Sequence, residues 1–500
     1  MQFKGKVDSD LKTKVERQNE AIDIWVSNKG VGTFNHCPRF GKLYEGAEVV
    51  RRLLNKDGLA YILILVPSDI IYQQWHKHLM TLIGPIDNYN VFLITLHKFT
   101  TQYNKYKEMY FKLIVIDEIH RFVSSNTTKV LIPSLVNNSK FRLGLLGVLP
   151  DKEDRDFIHS FAPIIDTITE REAIDNTWIS DYVEYNIPLV LPDEDKIKYA
   201  SYSIPMKDLL QQFRDLHKQF KVNDVPIFDN ELELIIACYS GKKLLGTYAS
   251  SDKVRQVVAK LAGWHHDLNF NNPVELEIDN RWNPVNLYER CKTFKNLMDK
   301  RNEILINNKV KAETIISIMK ECPVPTIIFN ESIDFVDTVT EMLNDNGIKS
   351  VAYHSKIESR PLINPKTGQF YLKKSDGEVK IFGKKLIKDY ATKGLNAGYF
   401  ITLVTVKSLD EGFTCESIEQ VITTAGSTNP VNYSQRIARG NTINPYNKEK
   451  VTRVLNLFFD DFNTPDNVEV KSRDKAKLIK RQKYSKSVIW LKNLAELFGI

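Results

Sequence analysis

Cysteine is scarce in this chain and nowhere arranged for chemistry: Cys37, Cys238, Cys291, Cys322 and Cys415 stand far apart, with no CxxC pair and no Cys/His spacing. That scatter excludes a zinc site and a disulfide framework, and it fits a reducing cytosolic compartment. Long apolar runs are missing too. No stretch reaches the roughly 18–20 uninterrupted apolar residues of a membrane span, and the opening MQFKGKVDSDLK has no signal core. The expectation is a cytoplasmic protein with no membrane partner. A dominant charge of one sign is also lacking, since 69 Lys and Arg face 62 Asp and Glu, a net +7. So mild an excess favours a polyanionic partner only where the basic residues cluster.

What is present is apolar content arranged as short runs. At 500 residues the chain exceeds what one core supports, and 42% hydrophobic residues are enough for at least two. β-branched runs at 61–66, 91–96, 113–116 and 141–146 alternate with amphipathic stretches, the rhythm of a buried parallel sheet with crossover helices. The same rhythm returns at 326–329, 350–353, 400–406, 420–423 and 454–458. The expected fold is α/β, with one parallel-sheet domain over 1–185, a second over 312–465, and a cleft between them.

Three segments fall outside that rhythm. Residues 199–311 are rich in helix formers, with apolar spacing at Leu209, Leu210, Phe213, Leu216 and Phe220 that predicts a helical insertion. Within the second domain, 364–385 reads as two alternating segments joined by Ser375-Asp376-Gly377, a basic β-hairpin. Residues 466–500 carry Lys471, Arg473, Lys475, Lys477, Lys480, Arg481, Lys483 and Lys486 ahead of an amphipathic close at Val488, Ile489, Trp490 and Leu491. That predicts a basic helical tail, either tracking phosphates or docked by its apolar end.

The chemistry concentrates first at His36-Cys37-Pro38-Arg39-Phe40-Gly41-Lys42-Leu43, where a helix over 43–54 begins. Free amides and the helix dipole at such a start can hold a phosphate, with Lys42 reaching its outer oxygens. Gly-Lys alone is a weak signal. Further on, the run Leu113-Ile114-Val115-Ile116 delivers Asp117-Glu118 at its carboxyl end, the edge where α/β sheets bind ligands. Asp117 would hold magnesium through water, and Glu118 would orient or deprotonate an attacking water. The bland alternative is a surface lysine and a helix cap with its following acid.

Taken together these residues resemble the superfamily-two, DEAD/DEAH-like helicases and translocases, and the likeness extends along both α/β lobes. Gln18 after Arg17 and before Ala21-Ile22 is similar to the family's adenine-contacting glutamine motif, and Leu65-Val66-Pro67-Ser68 with Gln74-Trp75 to its first nucleic-acid motif. Thr95-Leu96-His97-Lys98-Phe99 resembles the next, Ile327-Ile328-Phe329-Asn330 and Tyr353-His354-Ser355-Lys356 the pair opening the second domain, and Ser408-Leu409-Asp410-Glu411-Gly412-Phe413 the fifth motif. Gln435-Arg436-Ile437-Ala438-Arg439-Gly440 resembles the sixth, where an arginine aimed across a cleft neutralises charge on a γ-phosphate; surface ion pairing is the ordinary fate of such arginines. The resemblance implies that the two α/β lobes are RecA-like P-loop domains, with ATP and magnesium as cofactors. It implies nucleotide contacts from Gln18, Gly41, Lys42, Leu43 and Gly412, and catalytic roles for Asp117, Glu118, Gln435, Arg436 and Arg439. It implies nucleic-acid contacts from Pro67, Ser68, Thr95, His97, Ser355 and Thr405.

Departures accompany the matches. Leu43 stands where a P-loop has the magnesium-binding Ser or Thr, and Arg39 stands where the family has glycine. The third motif reads Leu146-Gly147-Val148, without its hydroxyls; Thr414 and Glu416 alter the fifth, and Ala438 and Thr442 the sixth. Three functions follow. The first is an ATP-driven motor on nucleic acid, DNA before RNA, because the Gln435–Gly440 wording is similar to phage and repair translocases; a phage origin would place it in the host cytoplasm. The second is a hydrolysis-deficient helicase-like subunit with replication, repair or transcription partners. The third is the ATP-dependent subunit of a nuclease complex, ranked last because no Asp…Glu-x-Lys constellation lies outside the matched lobes.

Overall fold

The computed structural model describes residues 13–123, 126–149, 152–217, 221–222, 225–226, 230–244, 284–364, 367, 369–373, 377–406, 415–426, 428–443, 447, 449–464 and 469–499. Two parallel sheets dominate it. The first has six strands in the order β3-β2-β4-β5-β1-β6: β1 (Val31–His36), β2 (Ile62–Val66), β3 (Val91–Thr95), β4 (Phe111–Ile116), β5 (Ser139–Leu146) and β6 (Ile164–Ile168). Every neighbouring pair is parallel, so all the carboxyl ends share one edge.

Apolar residues explain most of this sheet. In β2, Ile62, Leu63, Ile64, Leu65 and Val66 are all fully buried, as expected of a strand covered on both faces. Strand β1 is different and was not expected from the apolar runs. Its sequence VGTFNH is interrupted by polar residues, yet it lies between β5 and β6 and is almost wholly buried. Its polar groups are satisfied locally, Thr33 Oγ1 donating to the Ala162 carbonyl at 2.8 Å. Gly32 is required there because a Cβ would fall 2.2 Å from Ile165.

Three helices pack against this sheet. Helix α1 (Lys14–Ser27) begins with a capping box in which Thr13 and Glu16 exchange bonds of 3.2 and 2.7 Å. Helix α2 (Lys42–Lys56) starts slightly earlier than expected and buries Ala47, Val49, Val50 and Leu54. Helix α3 (Asp69–Ile83) is capped by Ser68 and buries Ile71, Trp75 and Leu79.

The second sheet has seven strands in the spatial order Ser350–Tyr353, Thr402–Thr405, Thr326–Phe329, Gln420–Thr423, Val451–Phe459, β7 (Asp181–Leu189) and Val488–Trp490. Strand β7 straddles the boundary expected at 185 and is a strand of this second sheet. The tail differs in part from a continuous helix. It is helical over Arg473–Arg481, whereas Val488–Trp490, expected to close an amphipathic helix, pairs in parallel with Glu184, Tyr185 and Asn186 of β7. Two β-branched residues followed by tryptophan pack well on a half-covered sheet edge, and that preference prevails over helical periodicity.

Within the second lobe, Arg360–Pro361 pairs with Ile381–Phe382, and single bridges join Ile363 to Phe370 and Leu372 to Val379. These pairings fold the described residues of 360–382 back on one another. Gly377 has φ +75°, as its turn requires, while Ser375 and Asp376 lie outside the described residues.

A separate compact unit comprises 189–310 with 459–475. It contains the helices Asp193–His217, Glu231–Leu244 and Pro284–Ile306, cored by Met206, Phe213, Leu216, Leu234, Ile235, Cys291 and Phe294. Leu209 and Leu210 pack against that core as their spacing predicts, and Phe220 lies outside the described residues.

Candidate active site

The loop expected to hold phosphate is the turn between β1 and α2. Two residues in it adopt left-handed backbone, Arg39 with φ +70° and Gly41 with φ +107°. Glycine is needed at position 41 for a second reason, since a Cβ would lie 2.4 Å from Gln18 Nε2. That amide donates to the Phe40 carbonyl at 2.8 Å, so Gln18 shapes the loop directly. Lys42 is buried and its Nζ donates to the His36 carbonyl at 3.1 Å. Lys14 Nζ donates to the carbonyls of Arg39 at 2.7 Å and Trp178 at 3.2 Å, and burial pushes that amine down to about 8.

Beneath the loop lies a charged network that the sequence did not reveal. His36 is fully buried; its Nδ1 sits 2.9 Å from both Glu45 carboxylate oxygens, and its Nε2 sits 3.0 Å from Asp166 Oδ2. Arg17 clamps the same Asp166 with bonds of 2.8 and 2.7 Å. The loop is thus fastened to β6, α1 and α2 by ionic bonds as well as by packing.

Strand β4 delivers Asp117 and Glu118 to the same edge. Asp117 is buried and accepts from Trp75 Nε1 at 2.7 Å and from the Glu118 amide at 2.9 Å. Burial, with the charge of Glu118, raises its carboxyl to about 6. Trp75, expected on a nucleic-acid motif, is fully buried and holds this carboxylate. Glu118 has φ +47°, and its Oε2 lies 3.3 Å from His120 Nδ1. Gly147 closes the arrangement: a Cβ there would lie 3.0 Å from Lys42 Nζ and 3.7 Å from Glu118 Oε1. Ammonium and carboxylate therefore converge on a position that only glycine leaves open.

These residues fit a nucleoside triphosphate. The α2 amino terminus, Lys42 and the gap at Gly147 all favour phosphate oxygens. Magnesium meets fewer donors. Leu43 has no hydroxyl and packs against the first-lobe core, and each Asp117 oxygen accepts one hydrogen bond, which leaves a second lone pair on each for a further partner.

On the second lobe, Asn429 caps the helix Pro430–Ile437 that carries Gln435 and Arg436. Arg436 is buried within its own lobe, Nη1 donating to the Ala425 carbonyl at 3.2 Å and the guanidinium 5.3 Å from the Phe329 ring. Burial, and then the charge of Arg481, lowers it to about 10. Gln435 keeps its Oε1 buried without a hydrogen-bond partner. Arg439 lies on the turn beyond the helix, and this turn meets the phosphate loop: Arg39 Nε donates to the Ala438 carbonyl at 3.0 Å. Burial, with the charge of Arg439, pushes Arg39 down to about 9. Lys42, Asp117 and Glu118 thus come together on one lobe, and the turn bearing Arg439 meets that lobe through Arg39. Arg436 is committed to the interior of the second lobe.

The residues expected to touch nucleic acid all sit at strand carboxyl ends. Pro67 and Ser68 follow β2, with Ser68 Oγ accepting from the Ile71 amide at 3.5 Å; Thr95 is the buried last residue of β3, and His97 is exposed on the helix Leu96–Thr101. Ser355 is exposed beside His354, whose Nε2 lies 2.9 Å from Asp337 Oδ1, and Thr405 is buried at the end of its strand. Gly412, with Ser408 through Phe413 and Thr414, lies outside the described residues.

A family described as "Type III restriction enzyme, res subunit" matches residues 12–150. No curated protein matches the chain. Among solved structures, the Hef helicase domain of Pyrococcus furiosus is similar at 13% identity and TM-score 0.50, covering 93% of this chain and 97% of that one. Dbp5 of S. cerevisiae, bound to RNA and ADP BeF3, aligns at 10% identity and TM-score 0.49 over 95% of this chain and 88% of its own. A DEAD box protein from Methanococcus jannaschii aligns at 11% identity and TM-score 0.44, over 98% of each chain. At such identity the likeness to Hef speaks for the two-sheet architecture.

Proposed function

We propose that this chain, a superfamily-two helicase-like protein, is a nucleic-acid-stimulated ATPase that moves along a strand, DNA rather than RNA. The observation that carries this is the convergence of Lys42 Nζ and Glu118 Oε1 on Gly147, at the sheet edge where the phosphate loop begins α2. Lys42 and the α2 amides bind and neutralise phosphate oxygens. Glu118 orients the attacking water and accepts its proton. Magnesium, when bound, supplies further neutralisation of the phosphate charge, with Asp117 holding it through water. Arg439, brought in by its turn, adds positive charge from the second lobe, so lobe closure depends on the nucleotide state. Pro67, Ser68, His97 and Ser355 would meet the strand backbone from one edge of each sheet, which serves stepping better than base recognition, while Thr95 and Thr405, buried at the ends of their strands, would support that edge from beneath. The preference for DNA rests on the wording of Gln435 through Gly440.

One observation favours a second reading, a helicase-like subunit that binds nucleic acid and hydrolyses ATP poorly within a replication or transcription assembly. Leu43 packs into the core where a magnesium-binding hydroxyl is expected. Phosphate release, measured with single-stranded DNA, duplex DNA, branched DNA and RNA over a range of salt, separates the two. The motor requires stimulation by DNA and its loss in Glu118→Gln. A wild-type rate equal to that of Glu118→Gln selects the second reading, and Leu43→Thr then raises the rate if metal binding is what limits it.

A further inference from the structure

Position 39 carries an arginine in a backbone conformation, φ +70°, that suits glycine. Non-glycine residues held there are strained and persist where the surroundings hold them. Here the holding contact crosses between lobes, because Arg39 Nε donates to the Ala438 carbonyl at 3.0 Å. Ala438 immediately precedes Arg439 and caps the helix carrying Gln435 and Arg436. The receiving turn is itself braced: Lys450 Nζ donates to the carbonyls of Gly440 at 2.9 Å and Thr442 at 2.6 Å, and Ser180 Oγ donates to the Thr442 carbonyl at 3.1 Å. The other end is equally fixed, since Lys14 Nζ grips the Arg39 carbonyl at 2.7 Å and Gln18 Nε2 the Phe40 carbonyl at 2.8 Å. A strained residue with a braced anchor at each end transmits position well.

We propose that Arg39 is a positioning residue that ties the phosphate loop to the turn bearing Arg439, so that the loop sets where Arg439 stands relative to a bound triphosphate. This rests on the ATPase reading of the same site.

The test is a double-mutant cycle on Arg39→Gly and Arg439→Ala in the full chain. Glycine suits the backbone at 39, so the variant folds and should melt no lower than wild type. The expected result is a kcat for DNA-stimulated hydrolysis reduced by about tenfold to a hundredfold with KM nearly unchanged, because a misplaced group weakens the transition state more than the ground state. Arg439→Ala should cost a similar factor, and the double variant little more than either alone. Losses that multiply in the double variant, or a kcat unchanged in Arg39→Gly, overturn the proposal. Should wild type bind nucleotide without hydrolysing it, the motor fails but the proposal is still decided, by running the same cycle on the affinity for a fluorescent non-hydrolysable ATP analogue. A chain that binds none overturns both.

Discussion

The indole of Trp75 donates to Asp117 Oδ2 at 2.7 Å, so the carboxylate expected to serve a metal is held by a side chain with no exposed surface. A hydrogen bond to a buried charged group is worth about 1.5–3 kcal/mol, and the acceptor left behind adds its own cost. Trp75→Phe should therefore lower unfolding free energy by at least that amount in urea titrations, and should slow hydrolysis by loosening Asp117. A loss below about 0.5 kcal/mol, the range of an ordinary surface substitution, would show that the bond contributes nothing.

The imidazole of His36 faces carboxylate oxygens at both ring nitrogens, and carboxylates only accept, so the ring is held as imidazolium. Burial opposes this, yet the charge of Glu45 and the bonds from Asp166 and Glu45 outweigh it and raise the pKa above 6.5. A raised value contributes stability fully below 6.5 and loses it as pH climbs through the folded pKa. Asp166 works in the opposite sense. Burial would raise it, but the bonds from His36 and Arg17 hold it well below 3.8, a contribution lost only in strong acid. Above about pH 6.5 the unfolding free energy should fall by up to about 1.4 kcal/mol per pH unit until His36 deprotonates in the folded chain. His36→Gln should flatten that slope, and parallel slopes in the two proteins would refute the assignment.

Apolar periodicity made both sheets legible, and Thr326–Phe329, Ser350–Tyr353 and Gln420–Thr423 begin and end where their β-branched runs do. Strand β1 stayed hidden because Thr33, Asn35 and His36 are buried by bonding rather than by hydrophobicity, and residue type alone does not announce a bonded partner. The same limit governs the site. Lys42, Asp117 and Glu118 follow from local spacing, whereas the pairing of Arg39 with Ala438 and of His36 with Asp166 joins residues far apart in the chain. Asp181–Leu189 was equally hard to assign, since nothing in its alternation states which sheet it completes.

Gly147 is the sharpest probe of the phosphate site. An added Cβ would crowd Lys42 Nζ at 3.0 Å and sit in ordinary contact with Glu118 Oε1 at 3.7 Å, and Lys42 Nζ is the far end of a flexible chain. Gly147→Ala should leave the melting temperature nearly unchanged while displacing the ammonium, with kcat/KM for ATP falling by about tenfold or more. Unaltered kinetics would mean that Lys42 does not work from this position.

Glu184 joins the strand between the lobes to the helix that carries Arg436. It is fully buried on β7; its Oε1 accepts from Asn456 Nδ2 at 3.0 Å, from the Tyr433 hydroxyl and from the Gln482 amide, while Oε2 has no hydrogen-bond partner. Burial, and then the charge of Glu184, raises the Tyr433 phenol well above its ordinary value, so it remains a donor. Tyr433→Phe should cost about 1.5–3 kcal/mol, and Glu184→Leu a comparable amount, because three donors lose one acceptor while each keeps another: Tyr433 on Asn456 Oδ1 at 2.9 Å, and Asn456 and Gln482 on Asn186 Oδ1 at 3.1 and 2.8 Å. The double variant should lose less than the two single losses combined, since the hydroxyl and the carboxylate that stabilise each other have both gone. Strict additivity in urea denaturation would show that the two side chains do not interact, and would remove β7 as the element that fixes the Pro430–Ile437 helix against the second sheet.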